Sequence, residues 1–181
     1  MRKIFFSVCC TLGLLCFIMV GCTSDVQKEE RSKQQLSSKL NNAFETTAHI
    51  NYNNVEALLT MSREQSGNYK LEFLQPISLQ GISLATQGEN ITITYKDMSL
   101  TMTANEFFSS SVVKMIIESI NNISTDYGFT LEMGEQQLTV SGMGENGEFI
   151  LLLDPKNSNL LSLEIPSSGL KVDFENFKFL N

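Results

Sequence analysis

Residues 91–103 read ITITYKDMSLTMT, two runs in which apolar and hydroxyl side chains alternate on either side of Lys96-Asp97. A period of two is typical of half-buried antiparallel strands, and the polar pair between the runs predicts a hairpin. The remaining strand-like runs lie at residues 48–52, 69–73, 82–84, 138–142, 149–153, 161–165 and 170–174, with Phe177 and Phe179 as a tail. We therefore predict about nine strands.

Two segments have the helical period instead. Leu36, Leu40 and Phe44 lie four residues apart and predict a first helix that ends near Phe44. A second amphipathic helix is predicted over residues 105–121, with Asn105 as N-cap and Asn121-Asn122 as its stop. Its apolar stripe is Val113, Ile116, Ile117 and Ile120. The order of helix, strands, helix, strands predicts an α+β domain with one antiparallel sheet.

The N-terminus has the features of an export signal. Arg2 and Lys3 precede a 17-residue apolar run without charge, Ile4 to Val20, and Gly21-Cys22 follows. A basic flank, a short apolar core and a small residue before the cut are signal-peptide features. The four residues that end this segment, Met19-Val20-Gly21-Cys22, are similar to a bacterial lipobox, with Met19 where leucine is usual. The alternative is an uncleaved transmembrane anchor, since 17 residues are within the accepted range.

This N-terminus predicts three parts: a lipoprotein signal peptide at residues 1–21, a lipidated Cys22 with a polar tether at residues 22–35, and a domain at residues 36–181. Two acyl chains anchor a protein stably where one is marginal. We therefore expect localisation at the cell membrane, on its extracytoplasmic face.

Charge and composition exclude several classes of function. Beyond residue 21 the chain has 11 basic and 20 acidic residues, a net charge of −9. Nucleic acid is therefore an unfavourable partner, because phosphate binding needs a basic face. No cysteine follows Cys22 and His49 is the single histidine, which excludes a disulfide scaffold and a Cys/His metal site. The sequence calls for no cofactor and no metal.

The motifs that suggest catalysis have simpler structural interpretations. Residues 142–147, GMGENG, match the G-x-G-x-x-G pattern, but a strand rather than a helix follows, and a hairpin turn at Asn146-Gly147 explains them better. His49 has no cysteine to pair with and lies in a strand run. The carboxylates are scattered along polar strand faces, where they serve solubility. We expect no enzymatic activity, and a hydrolase ranks last among the functions considered.

Several motifs follow one another along the chain: Gly67-x-Tyr69-x-Leu71-Glu72-Phe73-x-x-Pro76, Gly81-Ile82-x-Leu84, residues 91–95, residues 149–155 (FILLLDP), residues 161–166 (LSLEIP) and Val172-x-Phe174-x-Asn176-Phe177. Taken in this order, they resemble lipoproteins of Gram-positive bacteria related to the lipoprotein-carrier superfamily of the LolA/LolB type. The resemblance covers roughly residues 36–179. It implies an open, curved antiparallel sheet, a half-barrel wrapped on two helices, with an apolar cavity lidded by residues 105–121.

The resemblance implies that a lipid or other hydrophobic ligand, such as an acyl chain, binds in the concave face of the sheet. Met98, Leu100 and Met102 share one strand face, which suits either an adaptable pocket or an ordinary core. The expected ligand contacts are Phe73, Leu84, Ile93, Met98, Leu100, Met102, Val113, Ile116 and Ile117. The alternative function is an interaction lipoprotein that docks or stabilises an exported cell-envelope enzyme, such as a cell-wall amidase in spore germination.

Overall fold

The computed structural model describes residues 23–103, 111–125 and 128–180. The chain divides into two compact units, Met1–Gln35 and Leu36–Asn181. Helix α1 (Thr23–Leu40) runs through the boundary between them. Within the first unit, Lys33 forms an ion pair with Glu29 one helical turn away, at 3.1 Å. No helix in the described ranges is long and apolar enough to cross a membrane.

The second unit is built on one antiparallel sheet of eleven strands, confirming the α+β class with two more strands than expected. The strands are β1 (Phe44–Tyr52), β2 (Val55–Arg63), β3 (Tyr69–Gln75), β4 (Ile82–Gln87), β5 (Asn90–Tyr95), β6 (Met98–Thr103), β7 (Thr130–Met133), β8 (Leu138–Gly144), β9 (Gly147–Leu153), β10 (Leu160–Ile165) and β11 (Leu170–Phe179). A short 3₁₀ helix, Pro166–Ser168, joins β10 to β11.

The sheet consists of two meanders joined at its centre. Its strand order is β6-β5-β4-β3-β2-β1-β11-β10-β9-β8-β7, so β1 pairs with β11 and the edges are β6 and β7. Helix α2 (Val112–Ser124) lies in the connection between these two edge strands. The turns β1–β2, β3–β4 and β5–β6 all lie at one end of the sheet, which we call the turn end, because the paired strands alternate in direction.

Both helices bury apolar side chains in the core of the second unit. Leu36 and Leu40 are buried on the last turns of α1, and Ile116, Ile120 and Ile123 are fully buried on α2. The core reaches across the sheet from Ile91 in β5 to Val140 in β8, as part of one contiguous cluster. Truncating such a residue to alanine costs roughly 2–5 kcal/mol, because the space it leaves is only partly refilled.

The helix boundaries differ from those predicted. Helix α1 ends at Leu40, and Phe44, which is in phase with the helical stripe, is the first residue of β1. Helix α2 begins at Val112, where the Ser111 hydroxyl accepts a hydrogen bond from the Lys114 amide at 3.2 Å. Asn105 lies outside the described residues. The helix also continues through Asn121-Asn122 to Ser124, so the predicted stop was wrong.

The glycine-rich residues 142–147 form a hairpin, as the sequence predicted. Gly144 and Gly147 are register partners in β8 and β9, with Glu145-Asn146 as the two connecting residues. Gly147 has a φ of +107°, a conformation that glycine adopts without steric cost. A β-carbon on Gly142 would lie 2.6 Å from the Phe149 ring, so that position also requires glycine.

Candidate hydrophobic ligand site

An apolar cavity of about 440 Å³ lies between the sheet and the first turn of α2, at the turn end. Ligand pockets commonly have volumes of 300–1,000 Å³, so this space suits a small molecule or part of a lipid chain. The described residues that line it are Ile50, Tyr52, Val55, Ala57, Phe73, Leu79, Ile82, Leu84, Ile93, Ser111, Val112 and Val113. We refer to this space below as the apolar cavity.

The strands position the walls of the apolar cavity through their register. Ile50 is opposite Ala57 and Leu84 is opposite Ile93, so these side chains share one face of the sheet. The β1–β2 turn reverses at Asn53-Asn54, whose φ values of 50° and 65° lie in the left-handed region that asparagine tolerates better than most residues. This turn places Tyr52 directly opposite Val55 at the end of the cavity.

The chemistry of the lining favours an apolar ligand. Among the described lining residues, Tyr52 and Ser111 carry the hydroxyl groups, and none has a charged side chain. The Ser111 hydroxyl already accepts the Lys114 amide hydrogen bond as the helix N-cap. Val55 is 63% exposed and Ile93 is half-buried, so apolar surface at this site still contacts solvent. Covering it would contribute roughly 25 cal/mol per Å².

The structure brings four of the nine predicted ligand contacts together and separates the rest. Phe73, Leu84, Ile93 and Val113 line the apolar cavity. Ile116 is fully buried in the core, and Met102 is half-buried against it. Ile117 faces a polar recess that includes Lys114 and Asn121.

Met98 and Leu100 lie outside the apolar cavity on the edge strand β6. They are 66% and 57% exposed. Their alternation in the sequence identified the shared face correctly, but it carries no information about whether a strand is central or at an edge. Contact of these two residues with a ligand remains a prediction.

Sequence reasoning missed several lining residues. Val55 and Ala57 lie on β2, a strand that was not predicted, and Leu79 lies in the β3–β4 connection. Ile50 and Tyr52 were detectable, since their period-two spacing in residues 48–52 already placed them on one face. No local pattern distinguishes a loop leucine that lines a cavity from one that does not.

The opposite face of the sheet is polar. Two recesses there, of about 540 and 560 Å³, are lined largely by charged, amide and hydroxyl side chains. His49 is exposed beside the second recess, with its Nε2 3.3 Å from a Glu175 carboxylate oxygen. No group of three or more acidic, histidine or cysteine side chains is arranged to hold a metal ion within the described ranges. The described residues on this face therefore do not suggest a metal site.

A buried polar cluster joins the helices to the sheet at the end opposite the turn end. The Tyr69 hydroxyl donates a hydrogen bond to Asn121 Oδ1 at 2.8 Å, and burial raises the Tyr69 pKa to about 12. Ser37 Oγ and Asn41 Nδ2 both donate to the Ser124 carbonyl, at 2.6 and 2.8 Å. The bonds from Ser37 and Asn41 satisfy the Ser124 carbonyl, which the end of α2 would otherwise leave unpaired.

Helix α2 also contacts the β8–β9 hairpin through charge. Lys114 Nζ lies 2.7 Å from Glu145 and 3.2 Å from Glu118. The hydrogen bond to Glu145 raises the Lys114 pKa, whereas partial burial raises the Glu118 pKa. At neutral pH this cluster is an ion-pair network close to the solvent, which contributes to stability only modestly.

No family model matches this sequence, and no match was found among the curated proteins. Solved structures share the fold. An uncharacterised conserved protein from Thermus thermophilus superposes with a TM-score of 0.55 at 12% identity, covering 87% of this chain and 89% of that chain. A chain of the CwlD amidase–GerS lipoprotein complex from Clostridioides difficile superposes at 0.50 with 16% identity, covering 88% and 97%.

A LolA superfamily protein from Nitrosomonas europaea is a more distant neighbour. Its TM-score is 0.46 at 10% identity, and 83% of this chain and 93% of that chain are covered. At these identities the first two neighbours establish the fold alone.

Proposed function

We propose that this chain is an exported, non-enzymatic lipoprotein that binds a lipid or another hydrophobic ligand in the apolar cavity. In this proposal the chain is lipidated at Cys22 and held at the extracytoplasmic face of the cell membrane. Residues 1–21 act as its signal peptide and residues 22–35 as its tether. The ligand class we favour is an acyl chain, because the described lining residues are apolar apart from two hydroxyl groups and carry no charge.

The observation that carries the proposal is the apolar cavity itself. The described lining of this 440 Å³ space is apolar except for two hydroxyl groups, whereas the recesses of similar volume on the opposite face are lined largely by polar side chains. Each methylene group buried there would contribute about 0.8 kcal/mol. A chain of several methylenes therefore binds usefully without any specific polar contact.

A binding assay with matched variants tests the proposal. Residues 23–181 are purified without detergent and titrated with a dansyl-labelled fatty acid, with organic extraction and mass spectrometry of any lipid that co-purifies. Ile93→Asp places a carboxylate in the lining and is expected to weaken binding at least tenfold. Thr94→Asp puts the same charge on the other face of β5 and should leave the affinity within twofold.

The proposal fails if a folded Ile93→Asp chain binds the probe as tightly as the unaltered chain. It also fails if the unaltered chain neither contains lipid nor takes up the probe.

The second candidate function is docking to an exported enzyme. We keep this candidate because the chain shares its fold with a chain of the complex between CwlD amidase and the GerS lipoprotein. Crosslinking in the native envelope followed by mass spectrometry tests it. One dominant crosslinked hydrolase, together with a purified chain free of lipid, would favour docking over ligand binding.

A further inference from the structure

Strand β6 is an edge of the sheet, and no other described strand pairs with its outer side. Its residues pair only with β5 among the described strands, in an uninterrupted register from Met98 to Thr103. The strand contains no proline, no charge and no bulge, the features that normally prevent edge strands from pairing with other chains. The other edge, β7, has four residues and includes Glu132.

The side-chain types along β6 repeat symmetrically about Leu100. Residues 98–102 read Met-Ser-Leu-Thr-Met, so apolar and hydroxyl positions follow the same order in both directions. If two such strands pair antiparallel about Leu100, Leu100 faces Leu100 of the second copy and Met98 faces Met102. Ser99 then faces Thr101, and each class of side chain meets its own class.

Charge permits this approach at β6 in spite of the net charge of −7. No like charges oppose each other in the pairing about Leu100, because Asp97 faces Thr103 of the second copy. Hydroxyl rows already occur in the sheet, since the Thr92 and Thr101 hydroxyls lie 2.9 Å apart across β5 and β6. Cross-strand pairs of this kind contribute roughly 0.2–1 kcal/mol each.

We infer that β6 is the interface for a second copy of this chain, joined antiparallel through a two-fold axis at Leu100. The two eleven-stranded sheets then continue into one another, and Met98 and Leu100 become covered. Leu100 is the register partner of Ile93, which lines the apolar cavity. The dimer therefore extends the apolar surface of each cavity towards the other copy, although the interface does not depend on any ligand.

Disulfide crosslinking of the full-length chain in membranes tests the interface. Facing residues in antiparallel strands have Cα atoms about 4.5–5.5 Å apart, within the range that a disulfide spans. Leu100→Cys is therefore expected to give a reducible band at twice the monomer mass on oxidation. Thr103→Cys is the matched control on the same strand, because its two copies would lie about 20 Å apart. The unaltered chain is the second control, because any dimer band that it gives comes from the cysteines already present in the sequence.

Three outcomes would overturn the interface: no band with Leu100→Cys in a protease-resistant chain, equal bands with both variants, or a band that contains a different protein.

Sedimentation of the detergent-solubilised full chain gives an independent readout. The unaltered chain should be a dimer, and Leu100→Lys should be a monomer because two ammonium groups then face each other. Val55→Lys alters an equally exposed apolar residue on β2 and should remain dimeric. A monomeric unaltered chain would also refute the interface.

Discussion

The guanidinium carbon of Arg63 lies 5.9 Å from the centroid of the Tyr69 ring, and the two side chains connect both helices to the sheet. Arg63 Nη1 donates to the Asn41 carbonyl, and Nη2 donates to Asn41 Oδ1 at 3.0 Å, just beyond the end of α1. A cation at a helix C-terminus is favourable, because it complements the partial negative charge of the free carbonyls. Tyr69 makes the corresponding connection to α2 through Asn121.

Replacing Arg63 with methionine should destabilise the fold by about 2–4 kcal/mol. The variant fills similar space but leaves the Asn41 carbonyl without its charged donor, and hydrogen bonds to charged groups contribute about 1.5–3 kcal/mol each. Urea unfolding followed by circular dichroism measures the loss. Lys70→Met removes a cation that pairs with Glu64 at an exposed position and should change stability by less than about 1 kcal/mol. Equal effects of the two variants would show that Arg63 does not hold α1.

Tyr69 should make the stability of the protein fall at alkaline pH. Its pKa is raised from 10 to about 12 by burial, so between these values the unfolded chain has lost the phenolic proton while the folded chain keeps it. The resulting stability is complete below pH 10 and is lost as the pH rises through about 12, a change of about 2–3 kcal/mol.

Urea unfolding at pH 8 and pH 11.5 tests this dependence. Tyr69→Phe should show a smaller decline than the unaltered chain, because it has no hydroxyl to ionise. At pH 8 it should be less stable by about 1 kcal/mol, since Asn121 Oδ1 loses its donor. Identical slopes for the unaltered chain and Tyr69→Phe would contradict the raised pKa of Tyr69.

Gly142→Ala should destabilise the protein by about 1–3 kcal/mol, the usual cost of overpacking. The new methyl group would lie 2.6 Å from the Phe149 ring, which is itself buried. Gly144→Ala, on the same strand, meets nothing closer than 3.7 Å and should stay within about 0.5 kcal/mol. Thermal unfolding of both variants measures these changes in stability. If Gly142→Ala is as stable as the unaltered chain, the Phe149 ring can move away from the added methyl group.

Cys22→Ala should release the protein from the membrane if Cys22 carries the anchor. We expect the unaltered chain to incorporate labelled palmitate and to sediment with membranes, whereas the variant does neither. Cys16→Ala, within the predicted signal peptide, should behave like the unaltered chain. Membrane attachment of a Cys22→Ala chain that retains residues 1–21 would support the transmembrane-anchor alternative.

The strands that alternate regularly were predictable from sequence, whereas β2 and the four-residue strand β7 were missed. The hairpin in residues 91–103 appears as expected, with Tyr95 opposite Met98. Strand β2 was missed because its side chains do not alternate cleanly, and its register with β3 shifts between Leu58 and Leu59. An irregularity of this kind disrupts the period on which recognition of a strand depends.

The candidate site was harder to predict than the fold, because it depends on contacts between distant segments. Phe73, Ile93 and Val113 line one cavity only because β3, β5 and α2 meet at the turn end. The pairing of Phe44 with Phe179 between β1 and β11 likewise joins the two meanders across almost the whole chain. Local periodicity shows which face a residue shares, but it cannot show which strands become neighbours.

The double hydrogen bond at the Ser124 carbonyl has a mechanical consequence. It fixes the last turn of α2 to Ser37 and Asn41, whereas the first turn of the same helix borders the apolar cavity. Val112 is the residue of α2 farthest from Ser124. A given rotation of the helix about Ser124 would therefore displace Val112, and with it one wall of the apolar cavity, more than any other part of the helix.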